Sequence, residues 1–240
     1  MKRIGLIGGM SWESSAVYYR TINEAVRRRL GGLHSADLVL ASLDFAEVVA
    51  LQRADKWSEA GALLGGAGAR LRAAGADFLA ICTNTMHIVV DDVASHSGLP
   101  VLDIIDETAS AVISGGRRRP LLLATRYTME HGFYHRRMER HGLEVLTPDA
   151  AGRSDVHHII FDELCRGVIT PSSRDRMLDL IDNGLRAGAD CVILGCTEIC
   201  LLLTKGTLRC PVFDSTEIHA LAAVDLALSD MLVEQMPETA

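Results

Sequence analysis

Two segments of this chain share one pattern, and that pattern restricts the fold more than any other feature of the sequence. Residues 75–85 read Gly-Ala-Asp, an apolar run, then Cys-Thr-Asn-Thr, and residues 188–198 read Gly-Ala-Asp, an apolar run, then Gly-Cys-Thr-Glu. Superposing them at an offset of 113 residues places Thr83 opposite Cys196. Each copy is typical of a buried strand that ends in a polar turn. The repeat predicts two similar halves whose polar turns face one ligand.

The rest of the chain alternates short apolar runs with helical segments, which is typical of an α/β protein. The runs are apolar without alternation, and this indicates parallel strands covered on both faces. The predicted strands are 3–10 with its glycine turn, 38–43, 78–81, 100–104, 121–124, 144–146, 192–194 and 211–214. The predicted helices are 15–30, 58–73, 105–114, 129–141, 155–166, 172–187 and 216–231, and residues 45–52 are either a short helix or a lid-like loop.

We therefore predict an α/β fold of two pseudo-symmetric parallel-sheet lobes, with the active site in the cleft between them. The predicted N-terminal lobe comprises residues 1–97 and 209–240, and the C-terminal lobe comprises residues 98–208. In this division the last strand and the last helix return to the first lobe. Ligands of such sheets bind beyond the carboxyl ends of the strands, where the polar turns are expected to meet.

The composition excludes several classes of function. The net charge of −7 and the scattered arginines give no basic surface for nucleic acid. No apolar run approaches the roughly 20 residues of a membrane helix, and the first residues do not resemble a signal peptide. Six cysteines without a CxxC pair are expected to be reduced. These features predict a cytoplasmic protein that binds neither nucleic acid nor membranes.

The sequence lacks the motifs of common cofactor and metal sites. The first glycine turn is not the GxGxxG of dinucleotide binding, and no GxSxG of a serine hydrolase occurs. None of the three lysines, Lys2, Lys56 and Lys205, lies in a motif that suggests a pyridoxal Schiff base. The spacings of cysteine and histidine match no zinc pattern. We expect neither a cofactor nor a metal.

The two polar turns carry the chemistry that the sequence does suggest. Residues 83–85 and 196–198 offer hydroxyl, amide and backbone donors just past a strand, a set that suits a bound carboxylate. A cysteine in such a turn can have a lowered pKa and act as a base or nucleophile. Most lone cysteines are instead small buried apolar residues. The cysteines that fit this second description are Cys165, Cys191, Cys200 and Cys210. Cys196 differs because polar residues surround it.

Four segments resemble the aspartate/glutamate racemase family, in the right order and over nearly the whole chain. They are Ile-Gly-Leu-Ile-Gly-Gly-Met-Ser-Trp-Glu-Ser at 4–14, Thr-Asn-Thr-Met-His at 83–87, Thr-Arg-Tyr-Thr-Met at 125–129 and Gly-Cys-Thr-Glu-Ile at 195–199. The resemblance implies a pyridoxal-independent amino-acid racemase of two α/β lobes, usually a homodimer. Two acid/base residues, one from each lobe, would act on opposite faces of the substrate Cα.

The resemblance assigns the two acid/base positions. The family's second cysteine corresponds to Cys196, and its first stands directly before Asn-Thr, where this chain has Thr83. Cys82 lies one residue earlier, and a shift of one residue in a strand turns the side chain to the other face. A threonine hydroxyl is a much poorer base than a thiolate. Racemization is then expected to favour one direction, or to depend on a water or a neighbouring group beside Thr83.

The resemblance also implies residues that bind the substrate. The expected contacts are Met10, Gln52, Asn84, Thr85, Thr197 and Arg166. Arg166 would bind the side-chain carboxylate of an acidic substrate, although a surface ion pair explains it nearly as well. His87 and Glu198 would orient the turns, and a hydrogen-bonded core histidine is an equal explanation of His87.

Two other interpretations stay open at this point. The first keeps the fold and changes the reaction to hydantoin racemization, arylmalonate decarboxylation or maleate isomerization, but the segments at 83–87 and 195–199 point away from these branches. The second is a non-catalytic protein that binds an amino acid or another metabolite, in which Thr83 has replaced a lost catalytic cysteine. A racemase needs a reactive Cys196, whereas a binding protein needs only the pocket.

Overall fold

The structure is a computed structural model that describes residues 1–203, 206 and 208–233. The chain forms two compact units. The first comprises Met1–Cys82, Val89–Asp103 and the chain from His219 onward, and the second comprises Thr83–Ile88 and Ile104–Ile218. The division into two α/β lobes agrees with the prediction, and the expected cleft between them stays a prediction.

The first unit is built on a four-stranded parallel sheet. Its strands are β1 (Ile4–Gly8), β2 (Leu38–Ser42), β3 (Phe78–Ile81) and β4 (Val101–Leu102), in the order β2-β1-β3-β4. Its helices are α1 (Trp12–Leu30), α2 (Phe45–Arg53), α3 (Trp57–Ala73) and α4 (Val90–Ser97), the last preceded by a 3₁₀ turn at Thr85–Val89. Every residue of β1 and β3 is buried, as their unbroken apolar runs predicted.

The second unit repeats this order of strands. Its strands are β5 (Pro120–Leu123), β6 (Cys191–Leu194) and β7 (Val212–Asp214), in the order β5-β6-β7. Its helices are α5 (Ile104–Ser114), α6 (Arg126–Glu130), α7 (Phe133–Arg140), α8 (Ala150–His158), α9 (Pro171–Arg186), α10 (Ile199–Leu202) and the start of α11 (Ser215–Val233). Leu146 makes an isolated parallel bridge to Leu121 on the free side of β5. It occupies the place that β2 occupies beside β1.

The structure explains why the Gly-Ala-Asp sequence occurs twice. Gly75 and Gly188 have φ of +86° and +98°, a region that favours glycine, and they turn the chain from α3 and α9 into the following strands. Asp77 then accepts a hydrogen bond from the backbone N–H of Arg3, directly before β1, at 2.6 Å. Asp190 does the same for the residues before β5. The motif therefore fastens the starts of β3 and β6 to the chain directly before β1 and β5, their neighbours in the two sheets.

This anchor predicts a pH-dependent loss of stability in Asp190→Asn, of about 1 kcal/mol at neutral pH. Partial burial alone raises the pKa of Asp190, but the N–H groups of Arg118 and Arg119, at 2.7 and 3.1 Å, lower it overall. The folded pKa therefore lies below the unfolded value of about 3.9. The stabilisation is complete above the unfolded pKa and is lost as the pH falls through the folded pKa.

Urea unfolding at neutral and at strongly acidic pH measures this effect. Asp175→Asn, on an exposed position of α9, is the control and should change the free energy of unfolding little at either pH. A deficit in Asp190→Asn that is as large in acid as at neutral pH contradicts the account.

The predicted lobe boundaries are wrong at two strands and at one turn. β4 pairs with β3 in the first sheet, and β7 pairs with β6 in the second, which reverses the predicted assignment of both. The helix after each of these strands crosses over instead, since α5 packs in the core of the second unit and most of α11 in that of the first. Residues 83–88 also belong to the second unit. The sequence pattern of a two- or three-residue strand does not reveal which sheet it joins.

Several predicted elements differ in detail. The predicted helix 129–141 is divided into α6 and α7, because Gly132 takes a φ of +74° between them. The predicted helix 155–166 is α-helical only to His158 and continues as a π-helical turn and a 3₁₀ turn. The predicted strand 144–146 is reduced to the bridge at Leu146. Residues 85–97 are helical in the structure, and no helix is predicted there from the sequence.

No helix in the described part of the chain is long and apolar enough to cross a membrane. Lys2 and Lys56 form surface ion pairs with Asp230 and Glu59, and Lys205 lies outside the described residues.

Candidate active site

The two polar turns of the repeat both lie in the second unit. Thr83 and Cys196 are each half-buried and stand just beyond the carboxyl ends of β3 and β6. Gly195 precedes Cys196, and a Cβ at that position would lie 2.9 Å from the Cβ of Ala124 at the end of β5. Only glycine allows this close approach, which sets the Cys196 turn directly against the end of the neighbouring strand.

A chain of hydrogen bonds joins the Thr83 turn to the end of β6. Asn84 Nδ2 donates to Ser215 Oγ at 3.0 Å, and Ser215 Oγ donates to the carbonyl oxygen of Leu194 at 2.9 Å. Asn84 follows Thr83, and Leu194 lies two residues before Cys196. Ser215 is fully buried. Through Ser215, the two turns are held in a fixed relation.

A second group of hydroxyls joins the Thr83 turn to the end of β5. Thr85 Oγ1 lies 2.9 Å from Thr125 Oγ1 and 3.1 Å from Thr128 Oγ1, and these last two are 3.1 Å apart. All three side chains are buried. Thr125 also caps the N-terminus of α6 by accepting a hydrogen bond from the N–H of Thr128. The Thr83 turn is thus anchored on both of the neighbouring strands, β5 and β6.

His87 holds the carbonyl group of Thr83. Its Nε2 accepts a hydrogen bond from the N–H of Ile104 at 3.2 Å, so the ring proton is on Nδ1, which donates to the Thr83 carbonyl oxygen at 2.8 Å. His87 is buried. Both explanations offered from the sequence describe it, since it is a hydrogen-bonded core histidine that also orients the turn.

Cys196 forms a pair with a buried carboxylate. Its Sγ donates to Glu198 Oε2 at 2.8 Å, and Thr197 Oγ1 donates to the same oxygen at 2.8 Å. Burial raises the pKa of the Cys196 thiol well above its ordinary value, and the negative charge of Glu198 raises it further. The lowered pKa considered from the sequence is therefore wrong for this state. Cys196 rests as a thiol because its surroundings are apolar and anionic.

Cys82 is not a substitute for Thr83. It packs in the core of the first unit, and its N–H donates to the carbonyl oxygen of Ile7 in β1 at 2.9 Å. Burial raises the pKa of its thiol. The one-residue offset from the family's position thus places Cys82 with one unit and Thr83 with the other.

Three further residues were expected to contact the substrate, namely Met10, Gln52 and Arg166. Met10 and Gln52 are buried residues of the first unit. Arg166 pairs with Asp162 at 3.3 Å in the second unit, with 69% of its side chain exposed. The surface ion pair, which was the alternative explanation of Arg166, is the arrangement in this structure.

Three residues that hold the cluster together have no role predicted from the sequence, namely Thr125, Thr128 and Ser215. Thr125 and Thr128 were visible in the segment at 125–129 that resembles the family. Ser215 directly follows β7, the last strand. The polar residues that follow β3 and β6 were the available signal that a residue in this place belongs to the site. Its two partners, however, lie 21 and 131 positions away in the chain.

The cluster contains the groups for proton transfer and for binding a carboxylate. The thiol and carboxylate of Cys196 and Glu198 can exchange one proton, while the surrounding hydroxyls and the Asn84 amide can bind polar groups of a ligand. Among the described residues, no three histidine, cysteine, aspartate or glutamate side chains lie close enough together to hold a metal ion.

Two α/β units of matching strand order carry a thiol–carboxylate pair just past the end of a strand. The family to which the chain belongs identifies it as an isomerase of the racemase class. The chain belongs to the Asp/Glu/Hydantoin racemase family, whose model matches residues 7–223. The family predicted from the four sequence segments is confirmed.

Solved structures and a relative named as a racemase agree with this membership. A Yersinia pestis protein assigned as an Asp/Glu racemase is 50% identical, with a TM-score of 0.89, and the match covers 95% of this chain and 100% of that one. An aspartate racemase homologue from Pyrococcus horikoshii is 36% identical, with a TM-score of 0.82 and coverage of 95% and 99%. The broad specificity amino-acid racemase RacX of Bacillus subtilis is 23% identical over 163 residues, which are 67% of this chain and 69% of RacX. The predicted two-lobe α/β fold is confirmed.

Proposed function

We propose that this protein is a cofactor-independent racemase of aspartate and glutamate in which Cys196 and Thr83 act on opposite faces of the substrate Cα. The observation that carries the proposal is the Cys196 thiol, 2.8 Å from the Glu198 carboxylate, beside a turn that Ser215 ties to the same strand. The relatives from Yersinia pestis and Pyrococcus horikoshii support an acidic substrate. RacX supports a wider range of amino acids.

The reaction must overcome the low acidity of the α-hydrogen. Loss of this proton places negative charge on the α-carbon and the carboxylate, so donors aimed at the carboxylate lower the barrier. Thr85 offers a hydroxyl whose position is already fixed by Thr125 and Thr128. With the backbone N–H groups of the two turns, this hydroxyl would bind the α-carboxylate. Because these donors are in place before the substrate arrives, little reorganisation is needed.

Cys196 and Glu198 would share one proton, which moves between the thiol and the carboxylate. When Cys196 acts as the base, Glu198 first takes the thiol proton, the thiolate removes the α-hydrogen, and the Thr83 hydroxyl gives its proton to the opposite face of the carbanion. The proton on Glu198 then passes through water to the Thr83 oxygen, which restores the starting state. In the other direction the same steps run backwards: Thr83 first loses its proton through water to Glu198, its oxygen removes the α-hydrogen, the Cys196 thiol gives its proton to the carbanion, and Glu198 returns a proton to the thiolate. The pair keeps the same net charge during the internal transfer, which suits a buried site. This scheme reconciles a raised thiol pKa with catalysis.

Thr83 is the weaker partner in this scheme, and we expect Thr83→Cys to speed racemization in the slower direction by at least about tenfold. A thiol at this position gives both faces of the substrate a group that exchanges protons readily. Initial rates from each pure enantiomer measure the effect. Cys82→Ala, which removes the neighbouring thiol from the core of the first unit, should leave the rate per folded molecule unchanged. Loss of activity in Cys82→Ala together with no gain in Thr83→Cys contradicts the assignment of Thr83.

We also propose that the protein acts as a cytoplasmic homodimer on a free small-molecule amino acid. None of the six cysteines, all of them in the described part of the chain, forms a disulfide bond, which supports a reducing compartment. The resemblance to the family supports the dimer, and light scattering of the purified protein tests it.

The function is tested with a panel of single-enantiomer amino acids, incubated without added cofactor and analysed by chiral chromatography. Conversion of aspartate or glutamate to the opposite enantiomer supports the proposal. Alkylation of Cys196 in the presence of the same amino acids separates a racemase from a binding protein. An amino acid that protects Cys196 from alkylation but is never racemized indicates a binding protein and overturns the proposal.

A further inference from the structure

The hydroxyl of Ser215 has a single proton, and the structure shows where it goes. The carbonyl oxygen of Leu194 can only accept a hydrogen bond, and it lies 2.9 Å from Ser215 Oγ. Ser215 must therefore donate to Leu194. Ser215 is fully buried, so water does not compete for this proton.

The direction of this first hydrogen bond fixes the direction of the next. With its proton committed to Leu194, Ser215 Oγ is an acceptor towards Asn84, whose side chain lies 3.0 Å away. Only the Nδ2 of Asn84 can donate, so Nδ2 faces Ser215 and Oδ1 is turned away from it. The two ends of an amide have nearly the same shape. Here the hydrogen-bond chain alone decides between them.

The Asn84 oxygen is then left as a buried acceptor. Asn84 is 4% exposed, and no group in the described part of the chain donates to its Oδ1. A buried acceptor without a donor is costly and is rare in folded proteins. Asn84 lies between Thr83 and Thr85 in the turn described above, so the missing donor is expected from the ligand of that turn.

We propose that Ser215 is a positioning residue that sets the polarity of the Asn84 amide and so selects ligands with an ammonium group. This inference rests on the proposed function for the identity of the site. An α-amino acid brings N–H donors to Asn84 Oδ1, whereas a dicarboxylic acid of the same size without the amino group does not. Had the amide been reversed, its NH₂ group would face the ammonium and repel it. Ser215 thus sets a preference without touching the substrate.

The test compares two ligands that differ in the amino group, racemic aspartate and succinate. A racemic mixture is used because the enzyme would otherwise change its composition during the measurement. Dissociation constants are measured by isothermal titration calorimetry for the wild type, Ser215→Ala and Ser215→Thr. Ser97→Ala is the matched control, since Ser97 is also buried and its hydroxyl also donates to a backbone carbonyl, that of Ala94. The same comparison is made with racemic glutamate and glutarate.

The readout is the dissociation constant of the deamino acid divided by that of the amino acid, within each variant. General destabilisation of the protein does not change this ratio. The wild type should bind the amino acid more tightly than the deamino acid. Ser215→Ala should reduce that ratio by about tenfold, because it weakens the binding of the amino acid and leaves the binding of the deamino acid unchanged. Ser215→Thr keeps the hydroxyl and should therefore show the wild-type ratio. Ser97→Ala should also show the wild-type ratio. Asn84→Asp keeps an acceptor towards the ligand, so its ratio should not fall below that of the wild type.

The outcomes separate this inference from the proposed function. The role of Ser215 is overturned if Ser215→Ala loses the same factor of affinity for both ligands, or if it binds both ligands as tightly as the wild type does. A wild type without preference for the amino acid, or a lower ratio in Asn84→Asp, overturns the role of the Asn84 oxygen. Tight binding with the expected ratios but no racemization overturns the proposed function alone. Binding of none of the four ligands overturns both.

Discussion

Cys196→Ser is expected to lower the rate of racemization from either enantiomer by about a thousandfold. The serine hydroxyl preserves the shape of the side chain and its hydrogen bond to Glu198, but it is a far weaker acid than a thiol. It therefore neither returns a proton readily nor becomes an effective base. The initial rate from each pure enantiomer, followed by chiral chromatography, measures the loss.

The matched control is Cys200→Ser. Cys200 lies four positions further along and is also half-buried, and its thiol also donates to a carboxylate oxygen, that of Asp214, at 3.2 Å. It stands in α10, beyond the turn that holds Cys196. Full activity in Cys196→Ser, or an equal loss in both variants, is incompatible with Cys196 as the acid and base.

Glu198→Gln is expected to lower the rate by about a hundredfold and to change its dependence on pH. In the wild type the proton of Cys196 passes to Glu198, so formation of the thiolate requires no exchange with solvent. The glutamine accepts no proton, and the thiol must then ionise into water. Removal of the negative charge lowers the pKa of Cys196 towards its ordinary value, while burial still raises it.

The sign of the pH effect follows from these two changes. The wild-type rate should vary little with pH over the range in which Cys196 rests as a thiol. The rate of Glu198→Gln should rise with pH as more thiolate forms. Alkylation of Cys196 by iodoacetamide should be faster in the variant than in the wild type at the same mildly alkaline pH. Glu144→Gln, at a surface ion pair with Arg119, is the control. A Glu198→Gln variant with the activity and pH profile of the wild type would remove Glu198 from the mechanism.

The repeat made much of this structure predictable from the sequence. The strands β3 and β6 were predicted almost to the residue because both are short, continuously apolar and bounded by glycine and polar residues. The same local pattern placed Thr83 and Cys196 just past the strand ends. The Gly-Ala-Asp start also carried a structural meaning, since Asp190 and Asp77 fasten neighbouring strands.

The parts that were missed depend on contacts between distant residues. Ser215 looks like the first residue of a helix until its partners Asn84 and Leu194 are known. The sheet joined by β4 or β7 depends on pairing, which two or three residues cannot specify. The raised pKa of Cys196 depends on burial and on Glu198 together, whereas the turn motif alone suggested a lowered one. The residue types at the strand ends could be read from the sequence, whereas their burial and their distant partners could not.

The central claim is that the α-hydrogen is exchanged by two groups on opposite faces of one substrate. The most direct test is incubation of pure L- and pure D-aspartate, and then L- and D-glutamate, in D₂O without cofactor, with mass spectrometry of each enantiomer at low conversion. We expect the product enantiomer to carry deuterium at Cα while the remaining substrate keeps its hydrogen. Deuterium confined to unconverted substrate would show that Cys196 works and Thr83 does not. Neither deuterium nor product from any of the four would contradict the account.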